Sequence, residues 1–565
     1  MIRTIQRACI LLAVLALPTG AHGQKRALTD AQWREDLRTL ARELPKQHRS
    51  AFDPLRSHTT RERFDSAVAR LDGRIPSLTD HEVIVGLASL VAMLGDGHTR
   101  LTLPQDTAVS YGREHTPTAP PNDSTLYVHH LPVQLDVYPE GVFVRAATPE
   151  YRELIGARVL EVGRTSADSA LEAVRPVVHY DNEMGFRLLA PTYLVIPEVL
   201  HAVRVTDTPE RTRLVVRDAR GERREVTLAP LPLFRPAHFV EARYVAGAPV
   251  PVSERRLDDW YWLERIPASR ALYVQVNRFG SREDESMLAF SRRIAAMVRD
   301  SSVDRLVLDL RHNPGGNAGI GRPLLEALAG SAVDRPGRLF VLTGRETFSA
   351  AQLFVNDLEH LTYAMFVGEP TGSAPSAFGD SRKFRLPNSG LTVRASIIYW
   401  RSSDGDEKRP WTEPHLPVQR TAADQFANRD PVLDSALAFR APDDPAAFIR
   451  QVRGHAEWAP TMRLCWAFAA DPRIPQARSE AGVAACGFQL LAEGQTATAA
   501  QWFQATLDYL PGSALAYYGL GQAQLRAGDR AKARAALENA VRLDPSMDPA
   551  KRLLAELRGT PAGAE

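Results

Sequence analysis

Leu339–Leu358, LFVLTGRETFSAAQLFVNDL, constrains the fold of this chain more than any other stretch. Its first four residues are a continuous apolar run, Thr343–Thr347 carries the turn-former Gly344, and Ser349–Leu358 sets apolar residues at helical spacing. A buried strand that turns sharply into a helix is the building step of an α/β core, and Ser349 stands at the turn. A hydroxyl held there is aimed by the backbone. The N–H of Ala350 lies among the unpaired donors of the first helical turn and can face an anionic oxygen. On these residues two readings of Ser349 stay open: a nucleophile, or an N-cap with Thr347 close by.

The flanking sequence from Ser269 to Asp430 alternates strand-like and helix-like runs. They are ALYVQVNRF, a predicted helix across 283–298, a predicted strand at 306–311, a predicted helix over 321–328, the unit carrying Ser349, and a strand at 365–367. Such alternation reads as an α/β core. The run Val307–Leu310 passes at once into Arg311-His312-Asn313-Pro314-Gly315-Gly316-Asn317. Two glycines just beyond a buried strand let backbone N–H groups reach a substrate with no side chain in the way, as an oxyanion hole requires. A Gly pair also serves any loop.

The first residues read as an export signal. Arg3 and Arg7 form a positive front, Ala8–Leu17 is apolar but too short to span a bilayer, and Ala21-His22-Gly23 offers small residues for cleavage. Cys9 opens the apolar run rather than following it, which argues against a lipid-modified cysteine. The expectation is an exported chain, periplasmic or secreted, with residues 1–23 removed and no integral membrane segment left. Two of the 69 basic residues lie in the signal, and the remainder balance 67 acidic ones. With no long basic run either, nothing calls for nucleic acid or an anionic membrane as partner. Cys465 and Cys486 alone survive processing, which permits one bridge but neither a disulfide scaffold nor a metal site.

From Leu28 to about Leu103 the pattern is helical. Thr29-x-x-Gln32, Thr59-x-x-Glu62 and Thr79-x-x-Glu82 read as capping boxes ahead of three amphipathic runs. The third run ends at Gly95, and Asp96-Gly97-His98-Thr99 follows as a polar turn, where a His is commonly a surface or capping residue. Gln105–Ser124, rich in Pro, Thr and Asp, reads as a connector. Leu131–Leu231 then alternates strand-like runs with turns at Gly141, Gly163 and Gly221, with one helical stretch, SADSALEAV; this is a small β-rich domain. Residues 181–206 interrupt it as an insertion.

Beyond Pro472 the chain repeats itself. Val483, Cys486, Gly487, Leu490, Gly494, Ala499, Phe503 and Pro511 recur as Tyr517, Leu520, Gly521, Gln524, Gly528, Ala533, Leu537 and Pro545, a constant offset of 34. This is the tetratricopeptide (TPR) period, with small residues where paired helices cross, and 549–557 is expected to cap the last pair. Two roles stay open for the repeats: a surface for a protein partner, or an extension packed on the core.

The blocks LVLDLRHNPGGN, GRLFVLTGRETFSAAQLF, FVGEPTGSAPSAFGD and LPNSGLTVRASIIYW resemble, in that order, the peptidase family of the tail-specific C-terminal-processing proteases and the tricorn core, over roughly 271–437. GDGHT lies upstream in the family's order, and Tyr151–Val162 resembles the core of a PDZ-type module, which binds peptide tails by strand addition. The resemblance implies a multidomain α+β protein. Its parts would be an N-terminal helical domain at 24–110, a PDZ-like β-rich domain at 125–240, an α/β core of the ClpP/crotonase type at 255–440, and α-helical TPR repeats with a capping helix at 472–560.

It also implies a serine endopeptidase working through an acyl-enzyme on peptide or unfolded-protein substrates, with no metal or organic cofactor. Ser349 matches the family's nucleophile, and Gly315 or Gly316 with the N–H of Ala350 matches its oxyanion hole. Members split by base. The tail-processing members use a lysine in the strand region after the nucleophile, but Lys383, in SRKFRLP, is not where that lysine is expected. Tricorn-like members use an upstream histidine, which His98 in GDGHT matches. Their orienting glutamate lies near a Trp-containing strand end. Glu407, 58 positions after Ser349, is the choice, with Asp404 and Asp406 as competitors. The family's hydroxyl beside the histidine is missing, because position 97 is glycine. Two further readings use the same scaffold: a non-catalytic ligand- or protein-binding protein, like the retinoid-carrying relatives of this fold, and an esterase or amidase.

Overall fold

The structure is a computed structural model that describes residues 26–48, 50–105, 120–402, 407–442, 447–448, 451–452, 464 and 480–559. The signal segment, Cys465, Asp404 and Asp406 lie outside the described residues.

The centre is a six-stranded sheet in the order Leu416–Pro417, Met365–Gly368, Leu339–Thr343, Arg305–Asp309, Ala271–Val276 and Tyr261–Ile266. All neighbours pair in parallel except the last strand, which is antiparallel. Successive residues on a strand face opposite sides, and the sequence sorts itself accordingly. Leu306, Leu308, Leu339 and Val341 point to a core with Phe290, Leu324 and Phe354 from the covering helices Met287–Met297, Arg322–Leu328 and Ala350–Leu361. Val307, Phe340 and Leu342 point the other way, to Val432, Leu433 and Phe439 at the helix Pro431–Ala438. Both faces are buried, which is why these strands read as unbroken apolar runs. The edge strand Tyr261–Ile266 escaped the sequence reading: YWLERI has neither a clear alternation nor a turn signal before it.

The N-terminal helices are Asp30–Gln47, Arg61–Arg74 and Asp80–Ala92. Thr29 with Gln32 and Thr79 with Glu82 form reciprocal capping boxes. The middle helix is capped instead by Thr60, whose side chain accepts from the N–H of Arg63, one residue later than the expected Thr59/Glu62 box. The β-rich module has strands Val133–Tyr138, Gly141–Ala147, Arg158–Val162, Thr212–Arg217 and Arg223–Leu228, paired in that order, with the helix Ala167–Val174 between the third and fourth. It is not independent of the helices. Trp33, Leu37, Phe64 and Val91 share one apolar core with Val144, Val159 and Val216 of the module and with Leu391 and Val393 of a long hairpin, Ala377–Arg385/Thr392–Trp400, that rises from the α/β core. Asp36 fastens the first helix to the tip of that hairpin, its buried carboxylate accepting from the N–H groups of Asn388 (2.8 Å) and Ser389 (2.9 Å).

The insertion at 181–206 folds as two helices, Glu183–Tyr193 and Pro197–Ala202. The first packs against the edge strand Val133–Tyr138, and the N–H of Leu131 donates to Val195 O at 2.8 Å. Arg345, from the turn before Ser349, donates to Val137 O on the same strand. This edge of the PDZ-like sheet is therefore covered by the chain itself, and strand addition there requires the insertion to leave.

The C-terminal helices Glu480–Ala492, Thr496–Tyr509, Ala514–Arg526 and Arg530–Leu543 form two antiparallel pairs, followed by Asp548–Gly559. Gly519 lies at a crossing, where a Cβ would fall 2.2 Å from the ring of Phe503. The repeats bury two apolar clusters drawn wholly from residues 484–557, whereas Phe448, Val452 and Leu464 belong to the core of the α/β sheet. A chain ended at Pro472 keeps every residue of the two apolar clusters of the α/β core. It should unfold in one transition within a few degrees of the main transition of the full chain by differential scanning calorimetry, and a collapse of that transition would show that the repeats complete the core.

Candidate active site

Three loops leave the carboxyl ends of adjacent parallel strands: Asn277–Gly280 after Ala271–Val276, Arg311–Asn317 after Arg305–Asp309, and Gly344–Ser349 after Leu339–Thr343. The mouth formed by such loops is where open α/β sheets hold their ligands. The third loop is pinned from below. The Thr347 hydroxyl donates to Leu310 O at 2.9 Å and accepts from the N–H of Gly344 at 3.1 Å, while the N–H of Phe348 donates to Asn313 O. Thr347 is thus spent inside the turn. Ser349 follows at φ 55°, ψ −122°, a conformation that non-glycine residues adopt rarely, and its hydroxyl makes no capping bond to the helix it opens. Instead Ser349 Oγ lies 2.8 Å from His98 Nε2. The structure brings these two together across 251 positions of chain.

His98 reaches the serine because the short strand that follows it pairs with the hairpin that rises from the α/β core. Arg100–Leu101 pairs antiparallel with the hairpin strand Thr392–Trp400, with Arg100 opposite Arg394 and Leu101 opposite Val393. Asp96 sets the preceding turn. Its Oδ1 accepts from the N–H groups of Thr99 (2.7 Å) and His98 (2.9 Å) and from Ser396 Oγ (2.8 Å), and its Oδ2 lies 3.0 Å from His48 Nε2. The imidazole of His98 stacks on Phe348, centroids 4.6 Å apart, beside the nucleophile. Its Nδ1 is buried and meets no hydrogen-bond partner among the described residues.

The residue between Asp96 and His98 has no room for a side chain. A Cβ on Gly97 would lie 2.8 Å from Phe348 Cζ and 3.2 Å from Asp181 Oδ1. The hydroxyl expected beside the histidine is therefore excluded by packing. The Gly97 N–H donates to Asp181 Oδ1 at 2.7 Å, and Ser373 Oγ donates to Asp181 Oδ2 at 2.5 Å.

The glycine loop supplies the donors. Gly315 and Gly316 sit at φ 112° and 132°, conformations open to glycine alone, and a Cβ on Gly315 would stand 2.8 Å from Ser349 Cβ. The two are not equivalent. The Gly315 N–H is taken by Asn313 Oδ1 at 2.9 Å, while the N–H groups of Gly316 and Ala350 carry no hydrogen bond among the described residues. Of the pair left open by the sequence, Gly316 is the one with a donor to offer. Around them opens a cleft of about 630 Å³ whose wall includes Trp260, Phe279, Leu353, Phe378 and Trp400. A larger cavity of about 770 Å³ lies between the helices Arg61–Arg74 and Asp80–Ala92 and Arg175, and neither Ser349 nor His98 lines it.

Glu407 does not come to His98. It accepts from Arg409 Nε (2.9 Å) and Nη2 (2.7 Å), and Arg409 is also held by Glu359. Burial pushes the Glu407 carboxyl up, but the bonds and charge of Arg409 hold it below its usual range. The expectation that Glu407 steadies the imidazolium is corrected accordingly: its charge is already neutralised by the guanidinium of Arg409, just ahead of Pro410-Trp411, in a half-buried cluster of its own. Lys383 lies on the hairpin opposite Arg394, and the charge of Arg394, then burial and Arg100, lowers its pKa. No bond joins it to Ser349.

Sequence reasoning missed the residues that hold the histidine. Asp96 stands inside the quoted GDGHT motif and was legible as a turn former, while Asp181 opens an insertion and nothing in its spacing ties it to His98. Burial would raise the Asp96 carboxyl, but the bond and charge of His48 and the bonds from Thr99 and Ser396 bring it down to about 2. A carboxyl lowered by folding contributes stability that is fully present above its unfolded value near about 3.9 and is lost as pH falls through the folded one. Asp96→Ala should cost about 3–5 kcal/mol in urea unfolding at pH 7, with the gap from the native chain narrowing as pH falls below about 4.

Comparisons with known proteins agree with this architecture. Residues 490–557 match the tetratricopeptide repeat family model. No curated protein matches the sequence. Among solved structures, mature CPAF complexed with lactacystin superposes with a TM-score of 0.51 at 13% identity, over 72% of this chain and 98% of that one. The photosystem II D1 C-terminal processing protease (TM-score 0.33, 14% identity, covering 69% and 94%) and the tricorn protease (0.32, 12%, covering 75% and 37%) are also similar. At this identity the likeness to CPAF shows the fold alone, that of a multidomain α+β protein, here with TPR repeats in its C-terminal region.

Proposed function

We propose that the chain is an exported serine-type peptidase that hydrolyses peptide bonds by acyl transfer. The 2.8 Å contact between Ser349 Oγ and His98 Nε2, on a serine strained out of the capping role, carries the reading. In the first step Oγ attacks the peptide carbonyl carbon while His98 Nε2 takes its proton. The carbonyl oxygen becomes an oxyanion facing the N–H groups of Gly316 and Ala350, whose positions are fixed before the reaction, so little reorganisation is needed as charge develops. Collapse breaks the C–N bond, and His98 returns the proton to the leaving amine, giving an ester on Ser349. Water, deprotonated by the same imidazole, repeats the sequence and frees the acid.

The lining of the cleft, aromatic at Trp260, Phe378 and Trp400 and polar at Asn317 and Ser373, suits an extended peptide, which offers both side chains and backbone hydrogen-bonding groups. Residues 1–23 serve as the export signal, and the TPR repeats, whose apolar clusters are their own, offer a surface to a protein partner. Ser349→Ala should remove both turnover of a peptide reporter and labelling by a fluorophosphonate, with an unchanged unfolding midpoint. His98→Ala should lower kcat/KM by about 10³-fold or more, while Lys383→Ala leaves it nearly unchanged. An unlabelled native chain would favour a binding protein, and labelling with turnover of esters but no peptides would favour an esterase.

A further inference from the structure

We propose that Asp181, supplied by the insertion of the β-rich module, is the positioning residue of His98: it holds the histidine's loop through the Gly97 amide and supplies the negative charge that steadies the imidazolium. The inference rests on the peptidase reading above.

The carboxylate is built into the site. Both of its oxygens accept, one from the Gly97 N–H at 2.7 Å and the other from Ser373 Oγ at 2.5 Å, and Ser373 itself lines the cleft around Ser349. No hydrogen bond or ion pair joins it to an Arg or Lys among the described residues, in contrast to Glu407. The chain fixes its approach from the far side as well. Asn182, next in sequence, caps the helix Glu183–Tyr193 and donates through Nδ2 to Thr371 O (3.0 Å) and Pro410 O (2.7 Å), which locks the start of the insertion onto the α/β core. Asp181 thus stands within a rigid frame, one residue's backbone away from the imidazole, and Phe348 packs against Gly97 while stacking on the His98 ring.

Burial, the largest influence, leaves the Asp181 carboxyl above its usual range, and the charge of His98, with the Ser373 and Gly97 bonds, offsets only part of that rise. A buried carboxylate whose main balancing charge is the imidazolium is stabilised most when His98 is protonated, the state created as Ser349 gives up its proton. The other charged groups around this pair are Asp96, on the histidine's own loop, and His179, two residues ahead of Asp181, which itself feels Arg100 and Arg394 on the paired strands. Asp96 is held at about 2, and burial followed by the nearby arginine charge drives His179 well below the usual imidazole range, so neither changes charge near neutrality.

Asp181→Asn keeps an acceptor for Gly97, removes the charge, and turns the position that accepts from Ser373 Oγ into an NH2 donor, to which the Ser373 hydroxyl answers by rotating to accept. In the full chain, with the His98 ring followed by NMR in ¹³C-histidine-labelled protein and assigned by the signal lost in His98→Ala, its titration midpoint should lie below that of the native chain. The acid limb of kcat/KM should move with it, and kcat should drop by about tenfold or more while KM stays within twofold. Glu407→Gln should leave the midpoint in place, a check that stands even if Asp181→Asn folds poorly. A midpoint and acid limb unchanged in Asp181→Asn would overturn the proposal, and so would a fall of the midpoint in Glu407→Gln. Because the ring titration needs no substrate, a native chain without peptidase activity would refute the functional reading and still leave the Asp181–His98 coupling measurable.

Discussion

The pairing of Arg100–Leu101 with the hairpin strand Thr392–Trp400 is the contact on which the site depends. Ser349 and its donors belong to one α/β layer and would form from local sequence, but the base belongs to another part of the chain. The short strand ties His98 to the hairpin that rises from the α/β core, and Asp96 then converts that placement into an orientation by bonding to both the turn and Ser396 of the hairpin. Two residues of pairing contribute little by themselves, since backbone hydrogen bonds exchange for water with a net gain of only about 1 kcal/mol each. The shared apolar core of the N-terminal helices, the module and the hairpin holds the register. The N-terminal helices are therefore part of the scaffold that positions His98 rather than an appended domain.

The strained nucleophile is supported by buried charge beneath it. A residue held at φ 55° costs on the order of 1–3 kcal/mol, which the surroundings must offset. Arg311, the first residue of the glycine loop, bridges Asp309 (2.7 Å) and Asp430 (2.8 Å); Tyr273 OH donates to Asp309 and Ser253 Oγ to Asp430. Burial opposes the charge on Arg311, but the two carboxylates override it and hold the guanidinium well above its usual range. Every oxygen and nitrogen that would be costly to bury alone is matched, so the network fixes the loop's exit from the strand without an unpaired charge. From there Asn313 passes the constraint on: its Oδ1 holds the Gly315 N–H and its Nδ2 donates to Val276 O, leaving Gly316 as the donor that faces the cleft.

What the sequence made legible follows the range of the forces involved. Strands that are buried on both faces and helices with capping boxes are written in contiguous residues, so the α/β core, the module's five strands and the repeats are readable as patterns. Ser349 and the Gly pair sit at strand ends, where turn chemistry is local. His98 was found by resemblance rather than by periodicity, because no spacing connects it to Ser349. Glu407 was misplaced for a related reason. A sequence motif records that an acid stands near a Trp-containing strand end, but not that Arg409, two residues on, will claim it. The cap at Thr60 rather than Thr59 is a smaller case, where adjacent threonines offer the same hydroxyl and tertiary packing chooses between them.

The insertion shows why a domain boundary drawn from composition fails here. Its helix Glu183–Tyr193 packs against the edge strand Val133–Tyr138, and the residues leading into it reach the loop of His98. Arg345 ties the same strand to the turn that presents Ser349, through Val137 O on one side and Glu369 on the other. The module's edge and the nucleophile turn are thus bonded to one another directly, and the insertion bonds the edge to the base. Any displacement of that helix, by a peptide or by mutation, would be felt by both partners of the Ser349–His98 pair at once. A single buried element that seals one binding edge and aligns one base leaves the two functions with no independent adjustment, because its packing admits no continuous range of positions between docked and released.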